Sequence, residues 1–237
     1  MSNELLVLSI TALSVGFLHT ILGPDHYIPF IAMSKAGKWS MKKTVLVTIL
    51  SGLGHVGGSI ILGIVGIGIG LALNIVEEIE AYRGDIASWL LMSFGFIYMI
   101  WGIRSIFKNK KHSHWHHHAD GIVHNHPHSH KEDHAHVHEQ ENAVNLTPWV
   151  LFTIFVFGPC EALIPILMYP AANIGFTGII IVTTIFTLAT VLTMLTVVVV
   201  SVHGINLLPV NKYEKYSHAL AGVIVLFSGV AIQFMGL

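Results

Sequence analysis

The chain has 237 residues, of which 53% are hydrophobic and 11% are charged, and its formal net charge is −1. An average soluble domain has about 25% charged residues, so this composition excludes an ordinary soluble protein and indicates one that crosses a membrane. Nothing in it points to nucleic-acid binding. The single cysteine, Cys160, excludes an intramolecular disulfide and a paired-cysteine redox site.

Six apolar stretches meet or approach the roughly 20 residues that a helix needs to cross a hydrocarbon layer of about 30 Å. We therefore predict an all-α integral membrane protein with six transmembrane helices. The first stretch follows four residues without a basic side chain, which favours a membrane helix over a cleaved signal peptide. In chain order, the stretches run over residues 5–33, 44–76, 86–107, 148–172, 176–202 and 219–237.

The basic residues predict the orientation. Of the twelve Lys and Arg residues, all but Arg83 fall in, or at the edge of, the loops after the first, third and fifth predicted helices, which lie on one side. Cytoplasmic loops retain basic residues. We therefore expect both termini to be extracytoplasmic, in a multi-pass protein of the cell (inner) membrane.

The two halves of the chain share a short pattern. "GPDHYIPFIAM" begins at Gly23 and "GPCEALIPILM" at Gly158. Glycines spaced by seven residues in the third and sixth stretches support the duplication more weakly, although small residues are also common packing positions in membrane helices. Since each copy holds three helices, we predict two inverted repeats, 1–107 and 148–237, of the kind found in secondary transporters.

Residues 108–147 carry twelve of the seventeen histidines. The composition cannot bury a core, so we predict a disordered cytoplasmic loop. Neutral imidazole binds cations such as Zn, Ni, Co and Cu, which favours an accessory metal-binding segment over a solvated linker. Its histidines are His112, His114, His116, His117, His118, His124, His126, His128, His130, His134, His136 and His138.

A few ionisable residues interrupt the apolar stretches. Such groups are costly in hydrocarbon and mark functional sites. At about 1.5 Å per residue, we expect them near the middle of the membrane, whereas His203 and His218, near helix ends, are more typical of structural histidines. The candidates for a metal transport site are His19, Asp25, His26, His55 and Glu161, with Cys160 beside the last.

Two Gly-Pro pairs, Gly23-Pro24 and Gly158-Pro159, lie among these residues and predict breaks in the first and fourth helices. In an intact helix His19 and His26 would be about 10 Å apart, so a break is needed to bring them to one ion. Imidazoles with carboxylates suit Ni, Co, Zn or Fe better than Ca or Mg. Because metal binding requires neutral imidazole, metal movement could be coupled to protons.

The segments "GFLHTILGPDHYIPF", "GLGHVGG" and "GPCEALIP" resemble the nickel/cobalt transporter superfamily, more closely its NicO-like exporter branch and urease-accessory-like membrane relatives. The resemblance covers the six-helix core and the His-rich loop. It implies that His19, Asp25 and His26 match the family's His, four residues, Asp-His signature, and that His55 matches its Gly-His pair. Five residues rather than four separate His19 from Asp25 here, which bears on the ion preference.

These observations predict a secondary transporter of divalent transition metals, Ni²⁺ or Co²⁺ first, working in efflux, with the metal as substrate and no permanently bound cofactor. One alternative is a membrane accessory protein for urease or hydrogenase maturation. Another is an exporter of a small anion such as sulfite, which the apparent lack of Lys and Arg within the helices disfavours. No HExxH-type motif indicates an enzyme, and homo-oligomer formation is left open.

Overall fold

The computed structural model describes residues 3–108, 112–117, 123–128, 147–207 and 214–235. This part of the chain is a bundle of α-helices with one two-stranded hairpin. A single turn of 3-10 helix, Pro24–His26, separates the first two helices. The helices are α1 Asn3–Leu22, α2 Ile28–Ala36, α3 Met41–Gly68, α4 Leu73–Lys108, α5 Thr147–Phe157, α6 Leu163–Asn173, α7 Phe176–Asn206 and α8 Ser217–Met235.

Five helices are long and apolar enough to cross a membrane: α1, α3, α4, α7, and α8 with the turn before it. Large apolar side chains cover their outer surface, and Leu22, Ile61 and Phe234 are each about two-thirds exposed. Such a surface is stable against lipid rather than water. The prediction of a multi-pass, helical membrane protein is therefore confirmed in this coarser form.

The predicted fourth span is two short helices instead of one. Helices α5 and α6 have 11 residues each, so each is about 16 Å long and cannot cross a 30 Å layer by itself. They are separated at Gly158-Pro159, and α1 ends just before Gly23-Pro24. Both helices therefore end at the predicted breaks.

The boundary between the predicted second and third helices is wrong. The apolar stretch 44–76 is divided at Gly70, whose φ of +72° is a left-handed conformation that glycine adopts without strain. Helix α4 then begins at Leu73, well before the predicted start at Ile86. The acidic segment 77–85, predicted as a loop, is helical, and its Glu80 and Arg83 side chains pair within the bundle.

The central His-rich tract contains a hairpin. Strand β1 is His112–His117 and strand β2 is Val123–His128, and they pair antiparallel. The two strands pair through backbone hydrogen bonds, and the disorder expected for residues 108–147 as a whole stays a prediction. The register places His112 opposite His128, His114 opposite His126 and His116 opposite His124. The remaining predicted ligands of this tract, His118, His130, His134, His136 and His138, lie outside the described residues.

Helices α4 and α8 pack antiparallel with their backbones in close contact. A methyl group at any of four glycines on these helices would collide with the facing helix, so glycine is what allows the close approach. These are the glycines spaced by seven in the sequence. The facing pairs are Gly95 with Leu226, Gly102 with Ala219, Gly222 with Met99 and Gly229 with Met92.

The apolar interior consists of two clusters of buried side chains. One includes Phe30, Met33, Phe155 and Met194. The other includes Val56, Cys160, Leu163 and Phe186. The candidate site contacts both, because the ring of His55 lies against Phe155 and His19 lies against Cys160.

Candidate metal site

The break in the first helix is built around Gly23 and Pro24. Proline lacks a backbone N–H, and after it the chain makes one 3-10 turn in which the His26 N–H donates to the Gly23 carbonyl at 3.1 Å. A side chain at residue 23 would place its Cβ 2.5 Å from His26 Nδ1 and 2.9 Å from Asp25 Oδ1. Glycine is therefore required here, and the break folds His26 back toward the end of α1.

Three histidines meet at this break. His19 is in the last turn of α1, His26 is in the 3-10 turn and His55 is in the middle of α3. One ring nitrogen from each lies within 4.8 Å of the other two. The His26 ring is 4.7 Å from that of His19 and 4.9 Å from that of His55, measured between centroids. We call these three residues the histidine cluster.

The orientation of the His26 ring is fixed by contacts of its Nδ1 atom, on the side away from the cluster. Its Nδ1 lies 3.0 Å from the Gly23 carbonyl oxygen and 3.2 Å from Asp25 Oδ1. A carbonyl oxygen can only accept a hydrogen bond, so we assign the proton to Nδ1. The Nε2 lone pair then faces the cluster, and the histidine is oriented by a carboxylate, as metal-ligating histidines commonly are.

The distance between His26 and His55 fits a shared cation. Their Nε2 atoms are 3.3 Å apart, and two nitrogens at 2.0–2.1 Å from a tetrahedral metal ion are about 3.3 to 3.4 Å apart. The His55 ring also forms a hydrogen bond with the backbone of Phe155. Two lone pairs that face each other at this distance repel unless a cation or a proton lies near both.

The other predicted ligands lie around the cluster. Asp25 contacts the far side of the His26 ring, Cys160 Sγ is 3.8 Å from His19 Nε2, and Glu161 is exposed. None of these three belongs to the set of mutually close ligand atoms in the described chain. Apart from Cys160, the predicted site residues line one cavity of about 650 Å³, which extends to Asp85, Ser88 and Gln233.

At the break between α5 and α6, side chains of other helices form hydrogen bonds with the backbone. In an uninterrupted helix the Cys160 N–H would donate to the Val156 carbonyl. Instead it donates to Glu80 Oε2 at 3.2 Å and Ser59 Oγ at 3.0 Å, while Arg83 Nη2 donates to the Val156 carbonyl at 3.0 Å. Arg83 Nη1 and Glu80 Oε1 are 2.5 Å apart. The ion pair therefore supplies both halves of the missing helical hydrogen bond.

The sequence interpretation missed these residues. It placed Glu80 and Arg83 in a loop and did not consider Ser59, although a carboxylate and a guanidinium three residues apart are a typical helical pair. The statement that no Lys or Arg lies within the helices is also wrong, because Arg83 is in α4. Glu80 is fully buried, and the Arg83 guanidinium is bound to it and to two backbone carbonyls.

The Asp25→Asn variant tests the orienting role of this carboxylate. We expect its affinity for Co²⁺ to fall about 10- to 100-fold, the usual cost of losing a partner behind a ligating histidine, because the amide keeps the shape and loses the charge. Titration of purified protein followed by the Co²⁺ absorption spectrum measures it. An affinity equal to that of the unchanged protein would mean that Asp25 does not act on His26.

The two histidines predicted to be structural lie away from the cluster. The Nδ1 of His218 is 2.8 Å from the Tyr98 hydroxyl, which confirms a hydrogen bond between α8 and α4. His203 is exposed near the end of α7.

No family model, curated protein or solved structure matches this chain. The function is therefore inferred from the chemistry of the site itself.

Proposed function

We propose that the chain is a secondary transporter of divalent transition-metal ions and that the histidine cluster is its central cation site. The observation that carries the proposal is the convergence of three imidazole nitrogens within 4.8 Å of one another at a helix break. His26 and His55 are almost fully buried, where two imidazole lone pairs that face each other are costly. A cation that binds all three nitrogens removes that cost.

The type of ligand sets the class of substrate. Three imidazoles suit Ni, Co, Zn or Fe, whereas Mg and Ca prefer oxygen ligands. The resemblance of the segments around His19, His26 and His55 to nickel/cobalt transporters makes Ni²⁺ and Co²⁺ the first candidates. Since the imidazoles must be neutral to bind a metal, proton movement in the opposite direction belongs to the proposal.

The packing supports a six-span arrangement of two inverted repeats. If α5 and α6 together form the fourth span, the repeats correspond as α1 with α5, α2 with α6, α3 with α7 and α4 with α8. The contact between α1 and α7 then corresponds to that between α5 and α3, and the contact between α2 and α8 to that between α6 and α4. All four contacts occur. Exchanging the two repeats also leaves the α4–α8 contact and the α3–α7 contact unchanged, and both occur. A broken helix in each repeat, with its break at the cavity, is the arrangement of many secondary transporters.

The direction of transport is proposed as efflux. The basic loops favour a cytoplasmic location for the His-rich tract, which could collect ions for the cluster. Lys35 contacts Asn206 and Lys38 pairs with Glu214, so two of the basic loops meet at one end of the bundle. We place this end in the cytoplasm.

A flux measurement tests the proposal. Purified protein in liposomes that contain a metal-sensitive dye should admit Ni²⁺ or Co²⁺, and His55→Ala should reduce the rate to that of empty liposomes. His203→Ala is the matched control, because it removes an exposed histidine outside the cluster. Metal binding without any flux would instead favour the accessory-protein function, and equal flux by His55→Ala would refute the proposed site.

Anion export receives less support from the structure. An anion site needs available positive charge. Arg83, which contacts the break between α5 and α6, already bonds to Glu80 and to the carbonyls of Val156 and Gly158. The cavity is lined instead by Asp25, Asp85 and Glu161. These carboxylates favour a cation.

A further inference from the structure

One face of α3 carries a row of buried polar side chains. Thr44, Thr48, Ser51, His55 and Ser59 follow one another at intervals of three or four residues, which places them on one side of the helix. Each is at most 4% exposed. The row therefore runs through the protein interior, from the histidine cluster toward the end of α3 that begins at Met41.

Two members of this row have buried hydroxyls without a partner. The Thr48 and Ser51 hydroxyls have no hydrogen-bond partner among the described residues, and the same holds for Thr183 and Thr190 in α7. Elsewhere in the bundle, Thr20, Thr187 and Thr196 donate to the carbonyl four residues earlier at 2.7–2.8 Å, the usual solution for a hydroxyl in a membrane helix. A buried hydroxyl without a partner is destabilising. Of these four hydroxyls, those of Thr48 and Ser51 lie on the face of α3 that carries His55, and this position suggests a reason for them to be polar.

The position of Thr48 and Ser51 relative to the histidine cluster gives a reason for these residues to be polar. Ser51 and Thr48 lie four and seven residues from His55, or about 6 and 10 Å along the helix. The cavity at the cluster extends to Asp85 and Gln233, toward the opposite end of α3. The cluster thus has an open cavity on one side and two unpartnered hydroxyls on the other.

The far end of the row is closed. The Ser34 and Thr44 hydroxyls are 2.7 Å apart and both are buried, so they join α2 to α3 at this end. Helix α2 has nine residues, and a non-helical Tyr27, with φ −134° and ψ −32°, precedes it. A short helix beyond a break is an element that can move as a unit in a transporter.

We propose that Ser51 and Thr48 line the second half of the ion path, between the histidine cluster and the α2–α3 end, and that the Ser34–Thr44 contact closes this path in the present conformation. The inference rests on the proposed function. When α2 moves, the two hydroxyl oxygens contact the partly hydrated cation as it passes to or from the cluster. The path so defined links the cavity, the cluster and the end of the bundle that carries Lys42 and Lys43.

Two measurements test the path. First, Thr48→Val with Ser51→Ala should lower metal flux about tenfold, the effect of losing one hydrogen-bond-strength contact, while Co²⁺ affinity stays within about twofold. Thr196→Val, on an exposed hydroxyl of α7, should change neither. Unchanged flux in the double variant would overturn the path.

Second, Ser51→Cys should react with 2-aminoethyl methanethiosulfonate, a small cation, at least about tenfold faster than Thr196→Cys, because a thiol needs water to ionise. The parent chain, whose Cys160 is buried, gives the background. Equal rates at the two positions would exclude a hydrated path past Ser51. This labelling does not depend on flux: a chain that moves no metal but reacts at Ser51→Cys would refute transport and keep the hydrated path.

Discussion

Replacement of His26 by alanine is expected to abolish high-affinity metal binding at the cluster. The loss should exceed the 10- to 100-fold that removal of a partner behind the ligand causes, because His26 lies between the other two rings and its Nε2 is 3.3 Å from that of His55. His55→Ala should have a similar effect. Titration with Co²⁺ or Ni²⁺, by calorimetry and by absorption, measures it.

The His-rich tract would obscure this result unless it is silenced. The measurement is best made in a chain whose twelve tract histidines, from His112 to His138, are replaced by asparagine. In that background the remaining stoichiometry should be one ion per chain, and His203→Ala should bind as the parent does. If His26→Ala also keeps the affinity of the parent, the three-histidine site is refuted.

Three of the residues that the sequence singled out, His19, His26 and His55, lie together in the structure, and there is a physical reason why the sequence pointed to them. Ionisable residues in an apolar stretch are rare enough to be noticed individually, and the Gly-Pro pair indicated how His19 and His26 could meet. It could not distinguish the role of Asp25 from that of a ligand. Which side of an imidazole a carboxylate contacts depends on the turn at Pro24–His26, and spacing along the chain does not determine that.

The sequence could not predict that Glu80 and Arg83 bind the backbone at the break between α5 and α6, for a different reason. Glu80 and Arg83 lie far along the chain from Val156 and Cys160, and only the packing of α4 on α5 and α6 brings them together. A hydropathy-based boundary at residue 86 placed the pair outside the membrane. The turn at Gly70, which begins α4 earlier, is what moves the pair into the bundle.

Removal of one member of this pair is expected to have the largest effect on stability. Arg83→Met leaves the Glu80 carboxylate buried without its cation, and breaking a buried pair in this way costs about 3–5 kcal/mol. Glu80→Gln should cost less, since the amide oxygen can still accept from Ser59 and from the Cys160 N–H. Thermal unfolding in detergent, followed by circular dichroism, measures both variants.

The double variant separates this pair from an ordinary ion pair. Replacing both members of a buried pair by apolar residues is often neutral or stabilising. Here Glu80→Leu with Arg83→Met should remain less stable than the parent, because the Cys160 N–H and the Val156 carbonyl also lose their partners and a buried unpaired backbone group costs about 1–3 kcal/mol. A double variant as stable as the parent would show that the break needs no polar support.

Two neighbouring glycines of α3 provide a probe that changes no charge. A methyl group at Gly58 would lie 2.5 Å from Arg83 Nη2 and 3.0 Å from the Val156 carbonyl oxygen, whereas one at Gly57 meets nothing within 4 Å. Gly58→Ala should therefore displace the guanidinium, lower the unfolding temperature and weaken metal binding, because the same break positions Gly158 beside the ring of His55. Gly57→Ala should be neutral or slightly stabilising, since alanine favours a helix by about 1 kcal/mol over glycine. Equal behaviour of the two variants would mean that the contact between Arg83 and Val156 does not support the site.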